Sequence, residues 1–492
     1  MQDNVLTART GAGSGLKIDS VVVPGQLRTT APLLLKIDQS LNLRADLGRQ
    51  PVALSYSGGV TLGNSRFAIT TGQDETALIL SDIPVRFEGG ANRTAATVGP
   101  AQAELPDHAI HATGIAAKLA ASETVTLDID IGDIRQKTAN PFIIPLQMKT
   151  SAVLKDGMAQ FSTHLHDKSE TISVRATGEH DVARTRGFAD VQSARITFLP
   201  TVLQPANLFP VIGKQLQDTD GHFEAKASLR WQDGGIESGA EILADLTALK
   251  TEEVQLENAT TVITFDSLLP LSTPPGQEIY VGKLDIGIPL TAGRVEFQVN
   301  REGHITAALR ELDLFGGRIE TEVFTIPAKL DGFTIPLEVN GVRLDSLLAA
   351  TKVGDLTATG TLNGQIPVAF EDGRVFLRNG VLESAPGGGT IQYRPEAVGP
   401  ALSDANEGTA LFLDIVRDFQ YDSVRVTIDE QESGDIPFNF KIKGKNPTVY
   451  KGIPVELNLS MSGPLRAILQ QGLKTYTLPD RLLERMQDFA DQ

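Results

Sequence analysis

Apolar and polar residues alternate with period two over most of this chain, the pattern of strands with one dry and one wet face. After Gly221, residues Phe223, Ala225, Ala227, Leu229 and Trp231 fall on one side, while Glu224, Lys226, Ser228 and Arg230 fall on the other. The same spacing recurs at Leu127, Ile129, Ile131 and at Ala194, Ile196, Phe198. Further along it returns at Val295, Phe297, Val299, at Phe333, Ile335, Leu337, Val339, and at Val424, Val426, Ile428. Phe438, Phe440, Ile442 and Val455, Leu457, Leu459, Met461 close the series. Turn pairs such as Gly58-Gly59, Gly89-Gly90, Glu302-Gly303, Gly316-Gly317 and Asn379-Gly380 separate the runs at short intervals. This punctuation predicts hairpins and meanders, not helical crossovers between parallel strands. The fold class expected is therefore mainly β: one long, curled, antiparallel-rich sheet forming an elongated hydrophobic groove, with a few short helices near the carboxy-terminal end.

Helical spacing is scarce. The clearest stretch is 406–419, where Phe412, Val416 and Phe419 form a stripe beside Leu411 and Ile415. Shorter pieces are expected at Pro210 to Leu216 and Pro464 to Leu473, followed by an amphipathic helix over 479–492 carrying Leu482, Met486 and Phe489. A soft boundary at Leu199-Pro200 divides an amino-terminal part of the groove, 1–199, from a better-patterned part, 200–478.

Composition narrows the function. The chain has 492 residues, 41% of them hydrophobic, and a formal charge of −17, so its field repels phosphate backbones and nucleic-acid binding is not expected. Aromatics make up only 5%, which leaves the dry faces aliphatic and removes the stacking platforms of base- or sugar-binding grooves. With no cysteine there are no disulfides, thiolate sites or thiol nucleophiles. Gln2-Asp3-Asn4 stands where a signal peptide would be basic and then apolar, and no apolar run approaches the roughly 20 residues of a spanning helix. The expectation is a soluble piece of a longer protein, with any membrane anchor upstream.

No candidate chemistry stands out. His164 and His166 share a strand face beside Asp167 and Glu170, a spacing that can hold zinc, but a solvated face accounts for them more simply. His108 and His111 are read in the same way. Gly11-Ala12-Gly13-Ser14-Gly15 fits neither the dinucleotide-binding nor the nucleophile-elbow pattern. Gly387-Gly388-Gly389 is better read as a sharp turn leading into a strand than as a phosphate cradle. Neither an enzyme nor a metal or cofactor site is expected.

Ordered blocks in the second part resemble the YdbH-type branch of the AsmA-like family. They begin with Asp266-Ser267-Leu268-Leu269-Pro270-Leu271-Ser272-Thr273-Pro274-Pro275 and Val281-Gly282-Lys283-Leu284-Asp285. Asp313-Leu314-Phe315-Gly316-Gly317-Arg318-Ile319 and Gly360-Thr361-Leu362-Asn363-Gly364-Gln365-Ile366-Pro367-Val368 follow. The most telling block is Asn379-Gly380-Val381-Leu382-Glu383-Ser384 leading into Pro386-Gly387-Gly388-Gly389-Thr390-Ile391-Gln392-Tyr393, and Gly444-Lys445-Asn446-Pro447 closes the set. The resemblance covers roughly residues 200 to 475.

It implies a groove in the periplasm of a Gram-negative bacterium that carries phospholipid from inner to outer membrane. It also implies an inner-membrane anchor upstream and a small outer-membrane lipoprotein as partner near the carboxy-terminal end. The groove would be lined by the dry-face residues of the runs starting at Phe223, Val295, Phe333, Val424, Phe438 and Val455, with Phe412, Val416 and Phe419 as a lid or docking helix. Exposing two acyl chains of some sixteen carbons costs on the order of 25 kcal/mol at about 0.8 kcal/mol per methylene, so an aqueous gap needs a dry track. If some thirty strands stack at about 4.8 Å, the track is roughly 140 Å long. The alternative is a non-enzymatic scaffold for outer-membrane assembly that recruits partners by adding strands to its sheet edge.

Overall fold

In a computed structural model the structure describes residues 5–23, 27–47, 53–71, 74–213, 216–232, 235–250, 255–268, 270–285, 289–328, 332–346, 356–371, 374–393, 414–428 and 437–462. Of the described residues 73% are strand and 5% helix, nearly all of the strands in one open sheet. The chain weaves back and forth, and each pass hydrogen-bonds antiparallel to the pass before and the pass after. Strand Ile110–Ala121 pairs with Val125–Gln136, which pairs with Leu146–Lys155, then Met158–Asp167, Ser173–Asp181 and Arg186–Ser193. The series continues unbroken through Gln217–Gln232, Gly235–Lys250, Gln255–Phe265, Gln277–Asp285 and Pro289–Val299.

Several passes are two strands in line. Arg186–Ser193 and Ile196–Phe198 both pair with Gln217–Gln232, and Gly380–Ser384 and Gly389–Tyr393 both pair with Phe419–Ile428. Counted in passes, the stack is roughly two dozen deep, which at about 4.8 Å each gives on the order of 110 Å, shorter than the strand runs alone suggest.

Alternation settles which side faces in. Directly opposed residues in an antiparallel pair share a face, so apolar positions line up from pass to pass. The outer side carries cross-strand charge pairs: Lys118 opposite Asp128, Asp130 opposite Lys149, and Lys226 opposite Glu241. Lys283 meets Glu257 at 2.6 Å, and Arg294 reaches Glu278 at 2.9 Å.

The helices are single turns. Two of them, Pro205–Leu208 and Pro210–Gly213, interrupt the meander at mid-chain. Within the stretch expected to be helical over 406–419, residues 414–416 form one turn, and Phe419 opens the strand Phe419–Ile428. The helical stripe ends there because Phe419 pairs with Ile391 across the sheet, and sheet pairing overrides local spacing. Phe412, the Pro464 to Leu473 piece and the 479–492 helix lie outside the described residues.

Candidate functional site

The inner face carries an apolar row that crosses pass after pass without a charge. It runs Ile37, Val60, Val85, Val98, Ala117, Ile129, Thr150, Thr163, Ala176, Val191, Ala227, Ala240, Phe265, each directly opposite the next. The two polar members share a hydrogen bond, with the Thr150 and Thr163 hydroxyls 2.9 Å apart, which lowers the cost of placing them on an apolar row. Every residue of the row is half-buried. A packed sandwich core would hide these side chains, and a flat open sheet would expose them. Half-burial along the whole row is what a concave, unfilled trough produces.

A parallel row runs Phe87, Ala96, Leu119, Leu127, Ala152, Phe161, Gly178, Ala189, Leu229. Its glycine keeps the floor low: a Cβ on Gly178 would stand 2.6 Å from the Phe161 ring, so the ring lies down across the neighbouring strand. Gly187 does the same for Trp231, whose indole Nε1 donates to His180 Nδ1 at 3.0 Å on one margin of the face. Bulky rings thus widen the dry surface without blocking it.

The opposite margin is roofed by an element of which the sequence predicted only the short helical piece from Pro210, found as the turn Pro210–Gly213. Residues 199–213 fold back over it, burying Leu208 with Phe198, Ile172 and Leu146 against Ile134, Leu165, Val174 and Phe223. Gln204 fastens this flap: its Nε2 donates to the carbonyls of Leu199, Leu203 and Thr219, and its Oε1 accepts from Thr219 N at 2.8 Å. Ile144 N donates to Leu208 O at 3.0 Å, tying the 141–144 loop to the same flap.

The groove candidates divide by environment. Ala225, Ala227, Leu229, Val295 and Phe297 are half-buried on the inner face, as are Phe333, Ile335 and Leu337. Phe223 meets Phe198 edge-on at 5.8 Å beneath the flap, and Trp231 sits at the other margin. Phe333 stacks on Phe370 at 4.3 Å. Val299, Val339, Val424, Val426, Ile428 and Ile442 are buried, and Phe440, Val455 and Leu457 pack beside them. Val416 and Phe419 are buried as well, Phe419 completely. The side chains of Phe438 and Leu459 lie outside the described residues.

The remaining candidates take structural places. His164 Nε2 lies 2.8 Å from Ser173 Oγ, and its ring stacks on His166 at 4.6 Å. Burial, with help from His166 and Arg175, pushes the His164 pKa down, so the imidazole favours its neutral form. Among the described residues no group of three or more His, Asp or Glu side chains could hold a metal ion. His111 pairs with Glu104 at 3.2 Å. The Gly387–Gly389 run is a turn into the strand Gly389–Tyr393. With Gly360 it seats the Tyr421 ring, whose hydroxyl donates to Thr359 O at 2.6 Å.

An uncharged, half-buried row of this length suits the moving or holding of apolar chains, and the comparison with known families agrees. The sequence model described as YdbH-like, intermembrane phospholipid transport protein YdbH, matches residues 14–487. The chain belongs to the YdbH-like family. The match extends the resemblance across the first two hundred residues, where strand texture alone had been legible. No curated protein and no solved structure matches the chain. The family is one of lipid transport and not a known enzyme class. Among the described residues no helix is long and apolar enough to cross a membrane.

Proposed function

We propose that this YdbH-like chain carries phospholipid through the periplasm by letting acyl chains ride on its inner face while headgroups stay in water along the rim. The observation that carries the reading is the uncharged, half-buried row from Ile37 to Phe265. Hydrophobic contact is non-directional, so a row of similar aliphatic side chains gives a lipid nearly equal energy at each step, and no position traps it. Outer-membrane lipid homeostasis is the role this supports. Attachment to the inner membrane through an upstream anchor, and contact with a small outer-membrane lipoprotein near the carboxy-terminal end, are parts of the same proposal and rest on the family resemblance.

The test is transfer of a fluorescent phospholipid from donor to acceptor vesicles with the purified chain tethered between them. Transfer that rises with protein concentration and tracks the integrity of the apolar row supports conduction. A chain that leaves transfer at the spontaneous rate yet binds an envelope partner stoichiometrically through its sheet edge would favour a scaffold instead.

A further inference from the structure

The inner face changes character along its length. Over the row from Ile37 to Phe265 the side chains are half-buried, and the strand Pro289–Val299 still holds Val295 and Phe297 in that state. Beyond it Phe333, Ile335 and Leu337 keep that state, and past them the face closes. Leu362 has no exposure, and Val339, Leu377, Val424 and Val426 are each 2% exposed. These residues form one cluster that also takes in Ile415 and Phe419. Side chains covered to this degree touch neighbours on all sides, at interior density, and leave no lane for an acyl chain.

The closed block is also fastened. Asn446, itself 3% exposed, donates through Nδ2 to Asp414 O at 2.9 Å and Ile415 O at 3.1 Å, holding the 414–416 turn against the cluster. Its Oδ1 accepts from Thr448 N and Oγ1, so the amide is fully used. Gln392 Nε2 donates to Asp418 Oδ1 at 2.9 Å, and Val424 N to Ser384 Oγ at 3.0 Å.

We infer that the lipid-holding stretch ends near the strand Phe333–Arg343, and that the packed cluster around Leu362, Leu377, Val424 and Val426 is a stop that turns cargo out over the rim, not a further length of track. The inference rests on the transport reading above and narrows where on the chain the lipid sits. A phospholipid is the cargo, and its acyl chains are the part excluded from the block.

The experiment uses the full, unaltered chain. It is loaded with phosphatidylethanolamine bearing a diazirine within one acyl chain and irradiated, and the adducts are mapped by peptide mass spectrometry. Adducts on Ile129, Ala176, Val191 or Ala227, with none above background on Leu362 or Val426, are expected. Comparable adduct yields on Leu362 or Val426 would overturn the stop while leaving transport standing. A chain that takes up no lipid and shows no adduct anywhere would overturn both.

Discussion

A single carboxylate in the trough should slow lipid passage by a calculable amount. Ala176→Asp sets the charge between Thr163 and Val191, with no cation in the row to neutralise it. Ala176 is half-buried, so the new carboxylate keeps water and its charge at little cost to the fold. One pass spans about 4.8 Å of groove, or about four methylenes of an extended chain and roughly eight for two chains. Wetted from one side only, those methylenes lose about a third of their ~0.8 kcal/mol each, about 2 kcal/mol together. At ~1.4 kcal/mol per tenfold in rate, passage past this point slows about thirtyfold. Vesicle-to-vesicle transfer reads the rate, and circular dichroism confirms that the variant folds. Ser162→Asp, on the exposed side of the neighbouring strand, should transfer lipid at the unaltered rate. A folded Ala176→Asp protein that moves lipid as fast as the parent chain would refute the reasoning, because cargo would then not touch this row.

Three further outcomes follow from the packing and the polar contacts. Phe419→Ala, at a fully buried site, should cost about 3–5 kcal/mol in denaturant unfolding, and a loss under about 1 kcal/mol would mean that the block is slack. Tyr421→Phe removes the hydroxyl that donates to Thr359 O at 2.6 Å and should cost about 1 kcal/mol; Gly360→Ala, at φ +106 against the same ring, should cost more, and the reverse order in thermal melts would contradict the seat described. Burial pushes the Asp167 pKa up, but hydrogen bonds from Ser169 and from the backbone N–H of Ile172 outweigh it, so the folded value lies below the unfolded one. Its contribution is present above the unfolded pKa and lost as pH falls through the folded one; Asp167→Asn should therefore flatten the acid limb of the stability curve, and an unchanged limb would exclude this role.

Much of the sheet was legible because strand alternation is local. The run from Phe223 to Trp231 needs only its own residues to show which side is dry, and the register then carries that side across to Ala240 and Val191. What alternation cannot show is what lies above the dry side. Ala227 and Val426 read alike in sequence, yet one is half-buried in the trough and the other is sealed in a cluster. The difference comes from long-range packing around Ile415 and Phe419, which no spacing encodes. Apart from the short piece expected from Pro210, the flap at 199–213 escaped for a related reason: its turns are too short to show helical periodicity, and their burial depends on Leu146 and Ile172, far away in sequence. Phe419 was read as helical because its spacing from Val416 and Phe412 fits a turn; its pairing with Ile391 decides otherwise.

Everything proposed for this chain depends on its uncharged inner face sheltering phospholipid tails. Lipid analysis of the chain, purified from a Gram-negative envelope in mild detergent and washed free of loose lipid, tests it most directly. Diacyl phospholipid should be retained at one or more molecules per chain, with less on the Ala176→Asp variant. A folded chain that emerges free of lipid and takes none from vesicles would contradict it.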